Sequence, residues 1–479
     1  MKELNNRYEE IVCERYEENA VSGKAAVNYI EKSTALYKGS PVPCLYMPKL
    51  FSEPARAYLS EAVDTMYAIL NKVIRRYLDD DGYRKLFPFS RELEELILTE
   101  AGYPCLLPIA RLDIFLNEDN LSFQFCEFNA DGTSAMNEDR EINIAVSESD
   151  AFLEMRKEYE LTSFELFDSW VRVFRDIYAQ YERKVSSPRV VIADFMEHAT
   201  PNEFVIFRDA FRKAGYEADI CEIRDLVYRN GNSGGSANTC NAGVLETPDG
   251  KKVDAIYRRA VTRDVMACAD EAAAFLQAVR DGAVCLIGHF RTQVIHNKAI
   301  FMILRKPETL SFLTESEREF ILRHIPETFW LSVENIRPQG ETSGHAVETF
   351  DLGDVLTNKD KWIIKPEDGY ASNGVFIGVD LDEAEWKKAV TGSMDTGYLL
   401  QRYCPPYRAL NIDFNTEDRP DFKMYLNTTG MFVYNGKLQG FYSRAGLKGD
   451  VSTRGGAFTM ASLLAVERED DTTTLKKRE

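Results

Sequence analysis

The residues best placed to do chemistry fall in two short segments that both read as strands, Arg111-x-Asp113 and Glu127-x-Asn129. Alternate residues of a strand share a face, so each pair projects to one side. A three-residue loop, Glu118-Asp119-Asn120, would set Arg111 opposite Glu127 and Asp113 opposite Phe125, with all four polar residues on one face. Asn120 suits such a loop, whose last residue takes a positive φ that Asn tolerates. Two carboxylates and an amide oxygen are hard ligands of the kind Mg²⁺ prefers, with water and phosphate completing the octahedron. A solvent-exposed hairpin face with a cross-strand salt bridge has the same pattern.

Further along, Trp362-Ile-Ile-Lys365-Pro366 ends an apolar strand on a lysine, and a turn from Gly369 to Gly374 follows before another strand. This layout lets backbone N–H groups approach a phosphate while the lysine neutralises it as a point charge. A glycine hairpin beside an exposed lysine is composed alike. Asn297-Lys298-Ala299 puts a second lysine at the start of an apolar helix, where most lysines are merely solvated. Tyr398-Leu-Leu-Gln401-Arg402-Tyr403 is an apolar strand turning polar, able to offer backbone edges to an adenine base or to be an ordinary edge strand. Tyr442-Ser443-Arg444 and Arg454-Gly455-Gly456 form a late basic segment suited to gripping a phosphoryl group, or to being a flexible loop.

The elements that must position these residues begin with helices. Ser52 caps a predicted helix, with Pro54 in its first turn and an apolar face of Leu59, Val63, Met66, Leu70, Val73 and Tyr77, ended by Asp79-Asp80-Asp81-Gly82. Cys105 to Leu116 and Leu121 to Asn129 are the two predicted strands of the hairpin, and a helical stretch covers Leu153 to Tyr181. Pro188 to Asp194, a helix over Asn202 to Ala214, and Ala218 to Ile223 make a βαβ unit. Asn230 to Gly243 is a low-complexity loop, and Val244 to Thr247 with Val253 to Arg258 flank Pro-Asp-Gly as a hairpin. Thr314-x-x-Glu317 is a capping box. Trp362 to Lys365, Val375 to Val379, Tyr398 to Arg402 and Met431 to Val433 read as buried strands. No internal repeat is present.

Composition sets the outer bounds. At 479 residues, 44% apolar and 28% charged, the chain has the profile of a globular protein of about two or three domains. No apolar run approaches the ~20 residues of a membrane helix, and the acidic N-terminus lacks the apolar core of a secretory signal. The expectation is a cytoplasmic protein without a membrane partner. Nine dispersed cysteines with no CxxC pair, and five histidines with no metal-binding spacing, leave any metal to oxygen ligands. A net charge of −19 repels a nucleic-acid backbone, so no nucleic-acid partner is expected, while a local basic groove for a nucleotide is compatible with it.

Taken in order, Arg111-Leu-Asp113, Glu127-Phe-Asn-Ala-Asp-Gly132, Asn297-Lys-Ala299, Lys365-Pro366, Leu399-Leu-Gln-Arg-Tyr403 and Ser443-Arg444 resemble the synthetase domain of glutathionylspermidine synthetase and its circularly permuted ATP-grasp relatives. The metal-type motif precedes the lysines, as in that permuted group. The resemblance implies an α/β fold, a circularly permuted ATP-grasp with a helical N-terminal part and a small Rossmann-like βαβ domain. It divides the chain into 1–145 (helical part and hairpin), 146–285 (βαβ domain), 286–466 (nucleotide-binding lobes) and 467–479 (charged tail). Implied Mg²⁺ ligands are Asp113, Glu127 and Asn129, with Arg111 beside the reacting phosphate and Arg444 as the late arginine. Lys298 and Lys365 would hold the α- and β-phosphates of ATP under the Gly369 to Gly374 loop, and Gln401, Arg402 and Tyr403 would line the adenine pocket mostly through backbone. The implied activity is ligation of a small-molecule or peptide carboxylate to an amine. An amidase half has no counterpart, and no residues are assignable to glutathione or spermidine. A phosphotransferase on the same scaffold, and a nucleotide- or partner-binding protein without turnover, are the alternatives.

Overall fold

The computed structural model describes residues 1–230, 243–337, 349–369, 374–415, 420–449, 451 and 456–468. Most of the low-complexity loop, the turn 370–373, Arg454-Gly455 and the tail beyond 468 lie outside the described residues.

The amphipathic stripe after Ser52 forms the helix Glu53–Asp79, where Ser52 Oγ accepts the Ala55 N–H at 3.3 Å. Its six predicted apolar residues, Leu59 through Tyr77, are fully buried, and each such side chain withdrawn from water contributes ~1.5–3 kcal/mol. They pack with Leu112, Ile114, Met431, Val433 and Phe441. These partners lie on one face of the largest sheet, which runs Phe458–Met460, Lys437–Gly446, Lys423–Tyr434, Ile109–Leu116, Phe123–Asn129, with Arg408–Asn411 also paired to Lys423–Tyr434. The period of two then turns Arg111, Asp113, Gly430, Tyr442 and Arg444 to the other face. One face is sealed by the helix; the other lines a cleft.

A second sheet is fully parallel, in the order Cys285–Ile287, Ala255–Arg258, Arg189–Asp194, Glu217–Glu222. The helix Pro201–Lys213 links Arg189–Asp194 to Glu217–Glu222, which is the expected βαβ unit. Val190 and Ile192 pack with Trp170, Phe174 and Phe207 on one side, while Val191 and Ala193 pack with Phe275 on the other. Burial on both faces is the habit of parallel strands. A third, antiparallel sheet has the order Thr328–Trp330, Tyr398–Arg402, Trp362–Pro366, Phe376–Ile377, and Trp386 and Val390 of the helix Glu383–Ser393 cover it. A three-stranded sheet joins Lys49–Ser52, Ser462–Glu467 and Tyr159–Ser163.

Several predicted elements change. The helical stretch from Leu153 breaks into Asp150–Met155, the strand Tyr159–Ser163 and the helix Phe167–Tyr178. The strand is fixed by pairing with Ser462–Glu467, some three hundred residues away, which local periodicity cannot report. Pro-Asp-Gly does form a turn, with the Gly250 N–H donating to Thr247 O at 2.9 Å. It closes a short version of the predicted hairpin, with Glu246 bridging Lys252 and the Val253 N–H donating to Leu245 O at 2.8 Å, before Ala255–Arg258 leaves for the parallel sheet and Val244–Glu246 pairs with Val227–Arg229 on its other edge. Val375 to Val379 shrinks to Phe376–Ile377, and Met431 to Val433 is the middle of the twelve-residue strand Lys423–Tyr434.

The hairpin sheet is pinned to the parallel sheet by buried charge. Asp131 receives the Arg258 guanidinium and the Thr262 N–H, and Arg259 donates to Glu203 Oε1 at 2.7 Å. Glu203 Oε2 also takes the Asn137 N–H at 3.0 Å, capping a helix, Met136–Ser147, that has no side-chain cap of its own. Gly132 stands at φ +60 between them, and a Cβ there would meet Arg259 O at 2.7 Å. Removing one partner of such a buried pair strands the other charge, so Asp131→Ala is expected to lower stability by ~3–5 kcal/mol. Urea denaturation of the full chain measures this; a midpoint equal to wild type would show that Arg258 finds another partner.

Candidate functional site

The hairpin differs from its predicted register. Asn117 and Ser122 close a four-residue loop, with the Asn117 N–H donating to Ser122 O at 2.8 Å, and the positive φ falls on Leu121 at 59° rather than on Asn120. Asn117 and Asn120 instead use their side-chain oxygens, each accepting a backbone N–H two residues on at 2.9 Å. The register then shifts once more between Asp113 and Ile114, leaving Cys126 as the extra residue of a bulge. Asp113 therefore faces Glu127, not Phe125, and Arg111 faces Asn129. The four polar side chains share a face in this register too.

They line a cavity of about 240 Å³, together with Lys298, Lys365, Gly369, Tyr442 and Arg444. Asp113 is the hub. Arg111 Nε donates to its Oδ1 at 2.7 Å and Nη2 to its Oδ2 at 3.1 Å, while Asn129 Nδ2 and Arg444 Nη2 each reach Oδ2 at 3.2 Å. Lys298 lies 3.0 Å from Glu127 Oε1 and also donates to Gly369 O, at the start of the glycine turn. Lys365 donates to Cys126 O at 3.2 Å and to Gln401 Oε1 at 2.9 Å; Gln401 in turn donates to Thr328 Oγ1 at 2.9 Å.

The segment Gln401 to Tyr403 departs from expectation. Its strand is central, with Gln401 paired to Thr328 on one side and Ile363 on the other. The Arg402 N–H goes to Glu327 O at 2.9 Å and the Tyr403 N–H to Lys361 O at 2.8 Å, so these groups offer no free backbone edge. Gln401 acts through its side chain, orienting Lys365. Arg402 stacks 3.9 Å above the Trp362 ring and pairs with Glu327. Arg402 and Tyr403 line a neighbouring cavity of about 760 Å³ that meets the first at Phe115. Gly374, on the far side of the glycine turn, sits where a Cβ would meet the Tyr398 hydroxyl at 2.7 Å.

The electrostatics follow from enclosure plus opposite charge. Burial alone would raise the Glu127 carboxyl, but Lys298, Lys365 and His296 hold it down at about 2. Burial pulls the Lys365 ammonium below its ordinary value, with Glu127 opposing. For Arg111 burial is outweighed by Asp113, which keeps the guanidinium above its usual range. Opposed carboxylates with an amide alongside fit a hard divalent cation whose remaining positions are filled by water and phosphate oxygens. No group of three His, Cys, Asp or Glu residues that could hold a metal by itself occurs among the described residues. The Asn129 amide would turn its oxygen, rather than its NH₂, toward such an ion.

Two contributors, Gly430 and Glu138, escaped the sequence, and a third, Tyr442, is singled out there only as part of a basic segment. Gly430 lies opposite Asp113 in the sheet, and a Cβ there would meet Arg111 Cδ at 2.6 Å and Asp113 Oδ1 at 2.8 Å. A glycine inside a strand signals such a close approach and could have been noticed. Tyr442 is buried, with the Arg111 and Arg444 guanidiniums 5.2 and 5.8 Å from its ring centre, and its O–H donates to Glu138 Oε2 at 2.6 Å. Glu138 carries no sequence signal, since an acid in the first turn of a helix is commonplace.

No protein-family model and no curated protein matches this sequence. Among solved structures, a glutathione synthetase-like effector from Globodera pallida, in its apo form, matches with a TM-score of 0.57 at 12% identity, covering 93% of this chain and 97% of that one. A candidate gamma-glutamylcysteine synthetase from Methylobacillus flagellatus matches at 0.40 and 13% identity over 87% of this chain and 90% of that one, too loosely to bear on the fold. The chain thus has an α/β architecture of the kind found in a synthetase-like protein, shared over nearly its whole length.

Two outcomes follow from this geometry. Gly430→Ala forces Arg111 and Asp113 aside and is expected to cost ~1–3 kcal/mol as overpacking. Gly392→Ala, where a Cβ meets nothing within 4 Å, is the control and gains ~0.4–1 kcal/mol if its backbone is unstrained; equal melting temperatures for the two variants would contradict the crowding. Glu367, whose backbone O accepts the Lys298 N–H at 2.8 Å, has Oε2 buried without a hydrogen bond among the described residues. Burial, with Asp368 adding to it, pushes its carboxyl from 4.5 up to about 7. An acid raised on folding favours the folded state while protonated, so this contribution is lost as pH rises from 4.5 through 7. Melting curves across that window should be flatter for Glu367→Gln than for wild type.

Proposed function

We propose that this chain is an ATP-dependent carboxylate–amine ligase on a circularly permuted ATP-grasp scaffold, akin to the synthetase domain of glutathionylspermidine synthetases. One observation carries the reading: Asp113 and Glu127 face each other across adjacent strands inside a cavity that also holds Arg111, Arg444, Lys298 and Lys365. Opposed carboxylates with surplus cations are what a metal-bound triphosphate requires. The synthetase-like neighbour supports an enzyme of this general kind.

In this reading Asp113, Glu127 and Asn129 would hold Mg²⁺, whose charge would offset that of the phosphates. Lys298 and Lys365 neutralise the α- and β-phosphates, Lys365 being aimed by Gln401. Arg111 and Arg444, both beside the Tyr442 ring, attend the transferred phosphoryl group. A substrate carboxylate oxygen attacks the γ-phosphorus and ADP leaves, giving an acyl phosphate. An amine then attacks the acyl carbon, forming the amide and releasing phosphate and a proton. The motifs supply no Ser-His or Cys-His pair for an acyl-enzyme route.

Truncating Lys365 or Lys298 to alanine should weaken nucleotide binding by ~2–5 kcal/mol, as for other charged partners in shielded sites. Calorimetry with Mg–ATP measures it, and unchanged affinity in both variants would refute the nucleotide assignment. Once an acid substrate is found, ¹⁸O from its carboxylate should appear in the released phosphate. A phosphorylated product that accumulates without amide would make the chain a phosphotransferase.

A further inference from the structure

Beyond its charged centre, the site cavity continues. Glu138 and Thr200 line it and also line a smaller chamber of about 140 Å³, walled by Thr34, Leu36, Lys38, Asn137 and Asn202. The polar groups of this wall are largely spent on one another. Asn137 Nδ2 donates to Thr34 O at 2.8 Å, Asn202 Nδ2 donates to the same oxygen at 3.0 Å, and Thr34 Oγ1 donates to Glu141 at 3.0 Å. Glu203 is consumed by Arg259 and the Asn137 N–H.

Glu138 is different. Its Oε2 accepts the Tyr442 hydroxyl at 2.6 Å, while among the described residues no donor reaches Oε1 and no cation pairs with it. Burial, with Glu203 adding to it, raises its carboxyl above the ordinary value, while the Tyr442 hydrogen bond and, through space, Arg111 and Arg444 oppose that rise. Its place in the first turn of Met136–Ser147 favours the ionised form as well. An anion at the junction of two cavities, fixed by one hydrogen bond and open on its other oxygen, is suited to an ammonium group.

Resting on the ligase reading above, we infer that Glu138 binds the ammonium of the acceptor amine, and that the acceptor is a small monoamine entering through the Thr34–Asn202 chamber. A second residue of the lining sets the class. Lys38 shares the chamber with Glu138, exposed at the tip of the ribbon Leu36–Tyr37 and Ser40–Pro41, with its ammonium 5.7 Å from the Tyr37 ring centre. With Glu203 neutralised, Glu138 is the one carboxylate of the chamber lining without a cationic partner among the described residues. A second positive charge on the ligand would therefore meet Lys38, whereas a hydroxyl or carboxylate would be accepted. A diamine or polyamine is disfavoured by the same geometry.

Calorimetry on the full-length protein separates the possibilities, with Mg–AMP-PNP added first and then ethanolamine, glycine or putrescine. Ethanolamine and glycine should bind the nucleotide-loaded wild type. Glu138→Gln still accepts the Tyr442 hydroxyl but lacks the charge, and should weaken both by about tenfold to hundredfold. Its nucleotide affinity should be no weaker than that of wild type, which also certifies its fold. Putrescine should bind more weakly than ethanolamine, and Lys38→Ala should narrow that gap. Unchanged amine affinity in Glu138→Gln, tighter binding of putrescine than of ethanolamine, or no amine binding to wild type would each overturn the inference while leaving the nucleotide site standing. Failure of wild type to bind Mg–AMP-PNP would instead remove the ligase reading beneath it.

Discussion

Everything in the cleft depends on keeping Asp113 charged in an enclosed place. A carboxylate that is 1% exposed is untenable without partners, and it has three: Arg111, Arg444 and Asn129. Those partners come from both strands of the hairpin and from Lys437–Gly446, so the sheet must be in register before the charge is tolerable. The cavity holds four cations, Arg111, Arg444, Lys298 and Lys365, against three carboxylates, Asp113, Glu127 and Glu138. This surplus is opposite in sign to the −19 of the whole chain. Local potential, not net charge, selects a ligand, and here it favours a polyanion.

The register has two safeguards. The apolar residues that alternate with the site residues are sealed against Glu53–Asp79, so a one-residue slip would bury Arg111 and Asp113 in the core. Gly430 contributes the second, because the space it vacates is filled by the Arg111 and Asp113 side chains themselves. The segment from Glu127 to Gly132 then serves two sheets at once. Glu127 and Asn129 face the cleft, while Asp131 and Gly132 lock against Arg258 of the parallel sheet and Arg259 and Thr262 just beyond its end. The close spacing of these residues ties the charged centre to the parallel sheet.

Much of this was legible from local pattern. The apolar stripe after Ser52, the Thr314 capping box, the βαβ unit and the strand Tyr398–Arg402 are all present where periodicity and caps put them. What failed was non-local. Tyr159–Ser163 is a strand because Ser462–Glu467 lies beside it, and the hairpin's bulge at Cys126 leaves no trace in composition. Gln401 shows the same limit at the site: its strand was identified, but whether it had one neighbour or two decided whether backbone or side chain was available. Glu138 and Tyr442 are ordinary residues that matter only because three elements bring them together.

The cleft also has a direction. Phe115, Ile363 and Ile377 line it together with the charged cluster, and Phe115 is shared with the cavity near Tyr403. Glu138 and Thr200, shared with the small chamber, mark another exit. An apolar flank, a cationic middle and an anionic exit are the features on which the proposed order of base, phosphates and ammonium rests. Tyr442 connects the last two, touching both arginines with its ring and Glu138 with its hydroxyl. An ammonium neutralising Glu138 would release the two arginines from its field and leave them to the phosphoryl group, so that filling the exit strengthens the grip on the middle.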